Sequence, residues 1–125
     1  MDAEMRRALH QRAELIELRA RAILDRSLVA EDAWTRILGR PPRGDAAAAA
    51  AWHRHACMVA AYRDRYGLVG AKALGPAPET TAQKLDAARA RAAIVASRQL
   101  ADQDAASAGL RRSVTAGVPS VGRRF

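Results

Sequence analysis

The stretch AWHRHACMVAAYRDRYGL, Ala51 to Leu68, holds both tyrosines, one of the two tryptophans and the single cysteine of this 125-residue chain, with two of its three histidines. Three readings compete for it: a metal site, a grip on nucleic acid, or the buried face of one helix. Spacing separates them. At 3.6 residues per turn, Trp52, His55, Ala56, Val59, Tyr62, Arg63 and Tyr66 fall within one broad stripe. The stripe carries the large rings of the segment, which predicts a helix packed on a core. Tyr62 and Tyr66, four residues apart, can stack along it. His53 and Cys57 can share a face, but His55 points nearly opposite and cannot join them. Two ligands do not close a zinc site, so no metal is expected.

Working outward, the segment sits inside a chain of helical periods. Met5, Leu9, Ala13, Ile16, Ala20 and Ile23 recur at steps of four and three, widened by Leu15, Leu18 and Ala22, and predict a helix over 3–26. Ser27 suits the cap of a short second helix that turns Ala33, Trp34, Ile37 and Leu38 inward. Gly39 and Pro41-Pro42 stop it. Asp45 then caps a helix over 46–66, ended by Gly67. The run GLVGAKALGPAPE reads as a loop whose Leu68, Val69 and Leu74 tuck onto the body. Thr80 followed by Gln83 has capping-box spacing and starts a last helix, from Thr81 to about Ala106. Leu85, Ala88, Ala92 and Val95, with Ile94 and Leu100, form its apolar stripe.

No stretch concentrates β-branched and aromatic residues in alternation, so no sheet is expected. The fold class is therefore all-α: a small helical bundle of three main helices and one short one over residues 1–108. Residues 109–125 change composition to glycine, serine, proline and arginine, and read as a disordered basic C-terminal tail. Half of the chain is hydrophobic, but much of that is alanine, which favours helix and buries little area.

The formal net charge is +8, from 21 Lys and Arg against 13 Asp and Glu, and nearly all the cations are arginine. Such a balance attracts polyanions, with nucleic acid first and an acidic protein or anionic membrane surface second. A coding sequence rich in G and C gives the same bias without any such role. Candidate contacts to nucleic acid or a partner are Arg54, Arg63 and Arg65 beside the rings, and Arg111, Arg112, Arg123 and Arg124 in the tail. One cysteine makes no internal disulfide. The N-terminus lacks an apolar run of signal-peptide length, and no segment approaches the ~20 apolar residues of a membrane span. A cytoplasmic protein without membrane insertion is expected. Cys57 has no histidine oriented by a third group, GLVGAKALG lacks the ending of a phosphate loop, and no carboxylate pair stands out. Neither enzymatic activity nor a cofactor is expected.

Several motifs also carry a family resemblance. LGRPP (38–42), the alanine-rich lead into Ala51-Trp52, VAAYRDRYGL (59–68) and ALGPAPETTAQKLDAARARAA (73–93) together resemble the C-terminal region of actinobacterial conjugative relaxase–helicases of the TraA/TraI type, and ELIELRARAILDRSL (14–28) suits it. The likeness spans roughly residues 10 to 100. The family's nicking chemistry uses a tyrosine and a three-histidine cluster in another domain, and its helicase uses a Walker loop. Those motifs are not in this chain, and Tyr62 and Tyr66 belong to the C-terminal motif. The resemblance thus implies a helical accessory domain of a DNA-transfer protein, docking a partner of the conjugation or secretion machinery. Direct DNA binding and self-association through alanine-rich helix faces are the other readings.

Overall fold

The computed structural model describes residues 2–122, with side chains through Ser113. The chain forms three α-helices, α1 (Ala3–Val29), α2 (Ala46–Arg65) and α3 (Thr81–Gly122), with a short 3-10 helix, Ala33–Leu38, between the first two. No strand occurs among the described residues. No helix among the described residues is long and apolar enough to cross a membrane.

The caps explain most boundaries. Asp2 accepts from the Met5 amide at 2.7 Å, Asp45 accepts from Ala47 at 2.9 Å and the Thr80 hydroxyl accepts from Gln83 at 3.1 Å. Each satisfies an amide that the first turn leaves without a partner. Gly67 leaves α2 in the left-handed region at φ 64°, the conformation that glycine reaches most cheaply.

Ser27 is not a cap. It lies inside α1, which runs three residues beyond the expected end. Two bonds close that end, from Glu31 N–H to Leu28 O and from Asp32 N–H to Ser27 O. This is a Schellman closure with Glu31 in the left-handed position at φ 55°. No glycine marks it in the sequence. The Ser27 hydroxyl instead accepts from the buried Trp34 indole at 3.2 Å.

The core forms where the C-terminal half of α1, the 3-10 helix, α2 and α3 meet. Leu24, Trp34, Leu38, Trp52, Ala56, Val59, Ala60, Ala93 and Ile94 are buried together. Trp52 is fully enclosed, and its indole donates to Leu38 O at 3.0 Å. Ala87 and Ala90 pack with Tyr62 in a smaller cluster. The buried stripe of α3 is therefore Ala87, Ala90, Ala93, Ile94, Ser97 and Ala101. It is rotated from the expected one, leaving Leu85 and Val95 exposed. Small residues on α3 face the large rings of α2, so close approach of the backbones decides the contact face.

The expected stripe of α1 fails in its first half. Every residue from Asp2 to Arg19 is exposed, because α1 joins the core only from Ala20 onward. Ile37, Ala33 and Val69, expected to pack, are exposed too, whereas Leu68 and Leu74 are half-buried as expected. Gly39, at φ 74°, carries the chain against α3: a Cβ there would sit 2.5 Å from that of Ala101. The last helix does not stop near Ala106. It passes through Gly109 and continues to Gly122. Past Gly109, the Arg111 guanidinium lies against the α2 entry at Gly44.

Asp104 ties the entry of α2 to α3. Its carboxylate accepts the amides of Arg43 at 3.1 Å and Gly44 at 3.0 Å. The Gly44 bond, then the Arg43 bond, holds the carboxyl below its ordinary range. An acid depressed in the folded state stabilises the fold above its unfolded pKa and loses that contribution as pH falls through the lower folded value. Urea unfolding from about pH 4 downward should show this loss in the wild type. Asp104→Asn should flatten that part of the profile. An unchanged acid dependence in the variant would remove Asp104 from this role.

Candidate interaction surface

Ile16 of α1 and Met58 and Ala61 of α2 form the apolar floor shared by two grooves along the α1–α2 crossing. Arg12, Arg65 and Arg89 rim one groove, and Arg21 and Arg54 rim the other. The acids among them are mostly engaged. Asp64 accepts from Arg19 Nε at 2.7 Å. Asp86 accepts from the Tyr66 hydroxyl at 2.6 Å and pairs with Arg65 at 3.3 Å. That bond to Asp86 pushes the Tyr66 phenol above its ordinary pKa, so it stays a neutral donor. The Tyr62 hydroxyl accepts from Gln83, and the two tyrosine rings lie 4.8 Å apart at 50°.

The predicted stripe of α2 is realised: Trp52, Ala56, Val59, Tyr62 and Arg63 are buried, and His55 and Tyr66 are half-buried. Arg63 was a candidate contact and is not one. Its side chain is turned inward with 5% of its surface exposed. Its guanidinium donates to the carbonyls of Leu68, Gly70, Lys72 and Ala73 at 2.8 to 3.4 Å and lies 4.8 Å from the centre of the Trp34 ring. Burial lowers its pKa, yet arginine starts so high that it remains charged. Arg63 staples the α2–α3 loop to α2.

Arg54 and Arg65 do face outward, but eleven residues of α2 separate them by about 16 Å. Arg111 and Arg112 sit on α3, Arg111 near Asp104 and Gly44, Arg112 exposed. Arg123 and Arg124 lie outside the described residues. The predicted cations therefore do not make one site.

The His53 Nδ1–H donates to Ala49 O, 3.1 Å away, and the ring packs edge-on to Trp52. Burial, the largest influence on Cys57, raises its pKa and keeps it a thiol. No group of three His, Cys, Asp or Glu among the described residues could hold a metal ion.

One convergence escaped the sequence. Arg36, Arg40 and Arg43 meet Arg98 of α3 around the Pro41-Pro42 turn. Three of these are close in RILGRPPR, which is a visible signal, but Arg98 joins them only through the tertiary path.

The chain matches no protein-family model, no curated protein and no solved structure.

Proposed function

We propose that this chain is a non-catalytic interaction module of a conjugative DNA-transfer relaxase, recruiting a protein of the transfer or secretion machinery in the cytoplasm. One observation carries the reading: the first half of α1 presents Met5, Leu9 and Ile16, each about half exposed, in line with the apolar floor at Met58 and Ala61. Helix stability comes mainly from packing an amphipathic face, so such a bare face is suited to a partner helix. The rims of Arg12, Arg65 and Arg89 select the charge of that partner. It is an amphipathic helix with carboxylates flanking its apolar stripe. The likeness of VAAYRDRYG and its flanking motifs to relaxase C-terminal regions supplies the biological setting, an argument from analogy.

The test is capture of purified transfer-machinery proteins on immobilised protein, with Met5→Ser/Leu9→Ser/Ile16→Ser beside the wild type. All three positions are exposed, so the variant should fold. One defined component should be retained by the wild type and at least tenfold less by the variant. If no transfer component is captured and deletion of the segment leaves plasmid transfer unchanged, the reading is wrong.

A further inference from the structure

The arginine cluster around Pro41-Pro42 shares no lining residue with the α1–α2 grooves. Arg36 lies in the 3-10 helix, Arg40 and Arg43 flank Pro41-Pro42, and Arg98 reaches in from α3 to line the same cleft. Its acidic lining is Glu31 and Asp102. Asp102 is taken by Arg98 in an i,i+4 pair at 3.3 Å. Among the described residues, no side-chain hydrogen bond or ion pair engages Arg36, Arg40 or Arg43, all three exposed, though Arg43 lies within electrostatic reach of Asp104.

The backbone bearing these cations is held in place. Gly39 is pressed onto Ala101. The proline pair fixes two φ angles, and Pro42 is buried. Asp104 grips the amides of Arg43 and Gly44, and Arg98 donates to Arg36 O at 3.2 Å. Four guanidinium groups, two of them on the braced loop and one each from the 3-10 helix and α3, thus line one cleft, with a mutual repulsion that an anion would relieve.

We propose that this cleft binds the phosphodiester backbone of nucleic acid without reading its sequence. Arginine forks match phosphate oxygens in pairs, and a braced loop loses little freedom on binding. The cleft's own lining offers Leu28 only half-buried and no large exposed apolar side chain, which disfavours insertion into a membrane surface. Phosphate contacts carry no base information, so affinity depends on charge and salt.

The experiment measures binding of the full chain to short labelled single-stranded and duplex DNA by fluorescence anisotropy over a salt series. Arg40→Gln/Arg43→Gln is compared with Arg6→Gln/Arg7→Gln, which removes the same charge from exposed positions on α1. The cleft variant should lose about tenfold or more in affinity. The magnitude of its log–log salt slope should fall by about 1.4 on single strands or about 1.8 on duplex, as for two lost phosphate contacts. The α1 variant should stay within about twofold of the wild type, since screening weakens distant charges. The proposal is overturned by absence of DNA binding at low salt, by equal losses in the two variants, or by polyglutamate or anionic vesicles binding where DNA does not. Circular dichroism of both variants confirms that any loss is one of contact and not of fold.

Discussion

Replacing Arg63 with leucine should cost about 3 kcal/mol of folding stability, a large share of the roughly 5–15 kcal/mol available to a domain of this kind. The guanidinium answers four carbonyls of the loop between α2 and α3 and covers the Trp34 ring. Leucine fills part of the space but donates nothing, so those carbonyls must turn to water and pull the loop off the core. Ala73, which is buried on that loop, would be exposed with it. Arg63→Lys should recover only a small part, because an ammonium is a compact charge without the planar fork that reaches four acceptors. Urea unfolding of the three proteins measures both differences. A leucine variant within 0.5 kcal/mol of the wild type, on the order of an ordinary surface change, would show that the loop holds without the staple.

Trp52→Ala should be more severe, at about 4 kcal/mol. Trp52 is the largest fully enclosed side chain, in a core cluster where alanines outnumber the larger members Leu24, Trp34, Leu38, Val59 and Ile94. Alanine-rich helices have few large residues with which to close a cavity, so the hole should persist. Trp52→Phe separates the two contributions of the indole. It retains most of the ring but leaves Leu38 O without its donor, which should cost about 1–2 kcal/mol plus a smaller packing loss. Thermal unfolding followed by near-ultraviolet dichroism would read both. A phenylalanine variant as unstable as the alanine variant would mean that the N–H bond, not the ring volume, governs this site.

The sequence disclosed the elements that local chemistry determines. Asp45, Thr80 and Gly67 each act within a few residues of themselves, and the α2 stripe is marked by rings that occur almost nowhere else in the chain. What stayed hidden depends on neighbours distant in sequence. On α3, alanine occurs on every face, so the period is clear while the phase is not. Only the rings of α2 select Ala87, Ala90 and Ala93 over Ala88 and Ala92. On α1, a regular apolar stripe predicts burial whether or not a partner lies alongside, and here α2 covers only the later turns. Arg63 looks like one more surface cation until the loop carbonyls are seen to curl around it. The same limit applies to the candidate site. Arg54 and Arg65 were legible as outward-facing, whereas the meeting of Arg98 with Arg40 and Arg43 required the path through Gly39 and the proline pair.

The length of α3 has a consequence in solution. Forty-two helical residues extend about 63 Å, whereas a compact chain of 125 residues, with a radius of gyration of about 14 Å, is a body about 36 Å across. Such a rod tumbles slowly about its short axes and drags more solvent than its mass suggests. A single folded copy should therefore elute from a sizing column ahead of globular standards of equal mass, imitating a dimer. Sedimentation velocity, which reports frictional ratio alongside mass, will distinguish an elongated monomer from a true pair.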